Sequence, residues 1–109
     1  MAFGGFRSMW VMVMFDLPVD TKEARRRYRD FLKYMKSDGF RRLQFSVYAR
    51  PSPSEENANV HSKRIESAIP EDGHVRIFLF TDKQFERQQI YWGRMRKATE
   101  KQPEQISFF

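Results

Sequence analysis

Met9-Trp10-Val11-Met12-Val13-Met14-Phe15-Asp16-Leu17-Pro18 is the stretch on which the fold turns. Its seven apolar residues run without a polar break, the pattern of a strand buried on both faces. Pro18 lacks the N–H that a ladder needs and holds Leu17 extended, so the strand ends there. Asp16 therefore stands where the backbone leaves the sheet. A carboxylate in that place needs a hydrogen-bond cap, a cation or open water, because its charge is costly to desolvate. Two roles fit it: a cap on the following turn, or a metal-binding carboxylate at a strand end.

Downstream, Asp20-Thr21-Lys22-Glu23 has the carboxylate-x-x-Glu spacing of a capping box. It predicts a first helix from about Thr21 to Ser37, stopped at Asp38-Gly39. Ala24, Tyr28, Phe31, Leu32 and Met35 recur at helical spacing and form its buried stripe. Lys22, Arg25, Arg26, Arg29, Lys33 and Lys36 also recur at three and four. At about 100° per residue they share a sector roughly 100° wide. Like charges this close repel one another by a few tenths of a kcal/mol per pair. The stripe is either a solvated face that happens to be basic or a phosphate-contacting face that positions nucleic acid without reading its sequence. Because Glu23 and Asp30 fall on another sector, the second reading is favoured.

Further along, Phe40 to Arg50 is too long for one flat strand in a small sheet, which predicts two short strands or one bent near Gln44-Phe45. Ser54 caps a second helix, Glu55 to about Ile69, with a stripe of Ala58, His61, Ile65, Ala68 and Ile69. His61 reads as an edge of that stripe, since no second His or Cys lies at metal spacing, and His74 is isolated in sequence. Val75 to Phe80 is a second apolar run with the look of a central strand. Thr81 to Phe85 reads as a capped single turn, and Gln88 to Trp92 as one more strand ended by Gly93. Phe108 and Phe109 close the chain as a candidate partner-docking segment, by strand addition or pocket filling.

The chain has 109 residues, enough for a single core, and its 16% aromatic content suits a packed globule. It has no cysteine, which excludes a disulfide framework, a thiolate metal site and a thiol nucleophile. Met1 to Phe15, with one positive charge and two glycines, has too short an apolar run for a signal peptide, and no segment approaches the roughly 20 apolar residues of a membrane span, so a cytoplasmic protein is expected. A net charge of +6 favours a polyanionic partner.

The order strand, helix, strand, strand, helix, strand is the split βαβ arrangement. The expected fold is α+β: a ferredoxin-like βαββαβ domain with an extra C-terminal strand, both helices lying on one face. The chain divides into an N-terminal extension (1–8), this domain (9–93) and a basic C-terminal tail (94–109). Nothing is left over to cover the second sheet face, so a symmetric homodimer is expected to cover it. Two copies of Asp16 facing each other across the two-fold would suit magnesium or another divalent metal, which commonly takes one or two carboxylates and keeps several waters.

The Val-Met-Phe-Asp-Leu-Pro-Val stretch, followed by Thr-Lys-x-x-Arg-Arg-x-Tyr-Arg (Thr21 to Arg29), resembles the second CRISPR-associated adaptation protein family. Leu43 to Tyr48 and Thr81 to Phe85 resemble later blocks of that family, in the variety found in type II systems. The resemblance implies a ferredoxin-like homodimer, with the last strand often packing on the other subunit. It further implies a bridge between dimers of the larger integrase subunit, holding duplex DNA for insertion as a new spacer. Members are also described as metal-dependent endonucleases on RNA or DNA, with the first-strand aspartate as metal ligand, and Asp16 matches that position. Residues 1–8 exceed the usual start of the family, and Met9 offers an alternative one. Tails in the family contact the integrase subunit, which by analogy assigns that role to Phe108 and Phe109.

Two functions follow. As a scaffold, the dimer holds DNA on the basic helix and Asp16 is structural. As an enzyme, Asp16 and its symmetry mate hold the metal, and metal-bound water takes the place of a general base, since no His or Glu lies at a recognisable spacing. The aromatic signature of RNA-recognition domains, which share this fold, is missing.

Overall fold

A computed structural model describes residues 8–103 of the chain. Its elements are β1 (Met9–Asp16), α1 (Lys22–Ser37), β2 (Arg41–Gln44), β3 (Val47–Ser52), α2 (Glu55–Ala68), β4 (His74–Thr81), α3 (Asp82–Glu86), β5 (Ile90–Trp92) and β6 (Met95–Lys97). The first four strands form one antiparallel sheet in the order β2-β3-β1-β4. That is the ferredoxin-like arrangement, with extra strands. β5 and β6 pair separately, as a hairpin turning at Gly93.

The local signals explain most of the boundaries. Gly39, in the left-handed region at φ 87°, ends α1 after Ser37. Ser54 accepts from the Asn57 N–H and opens α2. Thr81 and Gln84 make a reciprocal capping box that starts α3. The bend expected near Gln44-Phe45 is a tight turn between β2 and β3, with Ser46 at φ 64°. At the start of α1 the cap sits one residue later than the spacing suggests. Thr21, not Asp20, is extended and accepts from the Ala24 N–H at 3.0 Å, so the box lacks its Glu.

The main core lies between the helices and one sheet face. Met9, Val11, Val13 and Phe15 of β1 are buried there with Phe31 and Met35 of α1 and Ala58 and Ile65 of α2. Phe15 meets the Phe31 ring edge-on at 5.5 Å. The other face of β1 is covered only at its start. There Trp10 stacks on Phe85 of α3 at 4.1 Å, and its indole N–H donates to Asp82 Oδ1 at 2.9 Å. Met14 is 39% exposed, so the expectation of burial on both faces fails toward the Asp16 end. The reason is topological: both long helices cross on one side, and α3 is too short to roof the other.

β4 is an edge strand, not a central one, despite its apolar run. Phe78 and Phe80 stack on the open face at 5.8 Å, and Leu79 is exposed on the other. β6 lies in a stretch whose sequence reads as polar tail. Tyr91, Trp92 and Met95 of the hairpin are all exposed.

Candidate functional site

The basic stripe of α1 is intact in three dimensions. Lys22, Arg25, Arg26, Arg29, Lys33 and Lys36 are all exposed, because Ala24, Phe31 and Met35 fix which side of the helix faces the sheet. Among the described residues none of the six is ion-paired, whereas Arg27, off the stripe, pairs with Asp72 at 3.0 Å. Arg25 donates to the Val19 carbonyl at 3.1 Å. Among the described residues the other five meet no carboxylate.

Asp16 ends β1 with its side chain exposed, on the face that the helices leave open. The start of α1, the β2–β3 turn and the start of β4 lie at this same end of the sheet. The Phe15 N–H donates to the Ser46 carbonyl at 3.1 Å. Across the ladder on the other side, Asp16 is paired with His74, the first residue of β4. Gly73, at φ 99°, brings the chain in so close that a Cβ there would lie 2.7 Å from the Asp16 carbonyl oxygen. Along the sequence the ligand-type neighbours of His74 are Glu71 and Asp72, and no second His or Cys lies at metal spacing from it. The register that makes it a neighbour of Asp16 joins segments almost sixty residues apart, so no local pattern reveals it.

Among the described residues no three His, Cys, Asp or Glu gather into a metal-binding group. One subunit therefore offers a partial donor set at Asp16. That single carboxylate is compatible with magnesium, since the ion accepts one or two carboxylates and otherwise keeps its waters.

His61 has a structural partner. Its Nδ1 lies 2.7 Å from Asp38 Oδ2, so that nitrogen carries the proton and donates. Arg64 donates to the other carboxylate oxygen at 2.8 Å, and Arg50 donates to the Asp38 carbonyl. Burial alone would push the Asp38 carboxyl up. The hydrogen bonds from His61 and Arg64, with their charges, outweigh it and hold the group below its ordinary value. This cluster ties the end of α1 to β3 and α2. Phe108 and Phe109 lie outside the described residues.

The family described as CRISPR associated protein Cas2 matches residues 9–88, well over half of the chain. The chain belongs to the Cas2 family. Several curated Cas2 relatives carry the name CRISPR-associated endoribonuclease Cas2. That of Parvibaculum lavamentivorans is 46% identical over 101 residues, 93% of this chain and 100% of the relative. That of Paracidovorax avenae is 43% identical over 105 residues, 96% and 97% of the two chains. That of Flavobacterium psychrophilum is 40% identical over 104 residues, 95% and 90%. A solved crystal structure of cas2 superposes with a TM-score of 0.53 at 22% identity, covering 92% of this chain and 99% of that one. At that identity the likeness concerns the Cas2 fold alone. Among the described residues of this Cas2 family member, no helix is long and apolar enough to cross a membrane.

Proposed function

We propose that this Cas2 family member works as a homodimeric bridge in CRISPR adaptation, joining copies of the larger integrase subunit and holding duplex DNA during spacer acquisition. The observation that carries the reading is the row of six exposed cations on α1, none ion-paired among the described residues. Charges in that geometry neutralise phosphates and release counterions, which gives affinity and register without sequence preference. The homodimer is supported by the sheet face on which Met14 is exposed and Met12, Phe78 and Phe80 are only half-buried, by the apolar edge at β4, and by the exposed Tyr91 and Trp92 of the hairpin. Apolar surface of this kind on a small chain marks an interface, and a two-fold dimer is its commonest form.

The test is duplex binding against salt concentration, followed by fluorescence anisotropy. Replacing Arg25, Arg26 and Arg29 with Ala should weaken binding and flatten the salt slope by about 0.9 for each phosphate no longer neutralised. Asp16→Asn should leave binding unchanged. An unaltered slope in the triple variant would remove α1 as the interface.

A second reading is metal-dependent cleavage of RNA or DNA at Asp16. It is favoured by the exposure of that carboxylate at the strand end and by the endoribonuclease name of the relatives. Asp16 and its symmetry mate would hold magnesium or another divalent ion. When bound, the ion supplies Lewis-acid polarisation of a phosphodiester and an activated water. Cleavage of labelled RNA and DNA with magnesium, lost in EDTA and in Asp16→Asn, would support this reading; activity unchanged in Asp16→Asn would end it.

A further inference from the structure

We infer that His74 is a second donor beside Asp16, in a divalent-metal site that favours transition metals over magnesium. The inference rests on the reading of Asp16 as a metal-binding carboxylate and adds an imidazole to it. Asp16 and His74 are the last pair of the β1–β4 ladder. Residues directly opposite in an antiparallel pair share a face, with Cβ atoms about 5 Å apart. One ion can bridge a carboxylate and an imidazole across that gap, because each metal–ligand bond is about 2.0–2.2 Å for an ion such as zinc.

Both residues are exposed, and neither takes part in an ion pair among the described residues. The backbone holds them in register. The close approach of Gly73 to the Asp16 carbonyl and to Leu17 leaves no room for a side chain, so the entry to β4 is pinned against the end of β1. Arg76, also exposed, occupies the next position on the same face, opposite Met14. A guanidinium there would attract an anionic oxygen ligand, such as a phosphate, to the open coordination positions.

The donor types set the preference. Magnesium takes oxygen ligands and gains little from an imidazole. A mixed nitrogen and oxygen set binds first-row divalent ions more tightly from manganese through cobalt to nickel. Two protein ligands also leave several positions open, as a site that handles an exchangeable ligand requires.

The experiment uses the tag-free full-length protein, titrated separately with cobalt(II) and magnesium, and reads binding by calorimetry and by amide NMR. Cobalt(II) should first perturb the signals around Asp16 and His74. His74→Ala should weaken cobalt(II) binding by about tenfold or more, the loss that even outer-shell partners of a metal produce. It should leave magnesium binding unchanged, while Asp16→Asn weakens both ions. If His74→Ala leaves cobalt(II) affinity intact and Asp16→Asn lowers it, the imidazole has no part and the carboxylate reading stands alone. Equal loss of both ions in His74→Ala would also overturn the inference, marking a residue that only shapes the strand end. If neither variant changes either ion, both readings fall.

Discussion

On the helix side of β1, Met9, Val11, Val13 and Phe15 are buried among Phe31, Met35 and Ile65, while on the other side only Trp10 is sealed and Met14 and Asp16 are exposed. Both sides come from the same unbroken apolar run, so hydrophobicity does not separate them. What separates them is where the chain returns. α1 and α2 both cross over one face, and α3 reaches the other only at Phe85. The covered face therefore carries the stability of the single chain, and the open face is the one proposed above to pair with a second copy.

The largest effect should come from the covered face. Phe31→Ala removes a ring buried against Phe15 and should cost about 3–5 kcal/mol. Met14→Ser, on the open face, should cost the isolated subunit less than about 1 kcal/mol. Urea denaturation at concentrations where the chain is monomeric compares them, and equal losses would break the contrast between the faces.

Next in size is the cluster at the rim of the covered face. Asp38→Ala strands His61 without its acceptor and should cost about 1–3 kcal/mol in the same assay. Its pH dependence sharpens the point. The Asp38 carboxyl is held below its ordinary value in the folded chain, so it binds its proton less readily than when unfolded. Its stabilising share is complete above the ordinary carboxylate range and is lost as pH falls through the lowered folded value. Stability measured down an acid series should fall less steeply in Asp38→Asn than in wild type.

The smallest effect is expected at the turn beside Asp16. Ser46 holds φ 64° without being glycine, and Ser46→Gly should raise the thermal midpoint slightly, by up to about 1 kcal/mol in stability. A drop instead would mean that the Ser46 side chain holds the open end of the sheet in place.

The secondary structure of the domain was largely legible from local chemistry. Pro18, Gly39, Ser54 and the Thr81–Gln84 box stop or start elements through groups within four residues of each other. The α1 stripe was legible for the same reason, since its cations lie within four turns of one helix. The cap shifted from Asp20 to Thr21 because two neighbouring residues can both cap and only the backbone torsions choose between them. β6 was hidden in Met95–Lys97 because a three-residue strand of mostly charged side chains has no pattern of its own.

By itself the sequence determined the elements, the order that implies the ferredoxin-like sheet, and the segregation of positive charge along one helix. These follow from hydrophobic period, capping groups and glycine, which act over a few residues. Only the tertiary structure decided that β4 lies at an edge, that His61 faces Asp38, and that His74 stands opposite Asp16. Each joins segments more than twenty residues apart, and their meeting depends on strand order, register and the angle at which helices cross. A one-residue slip of β4 would have turned His74 to the other face, because side chains alternate along a strand.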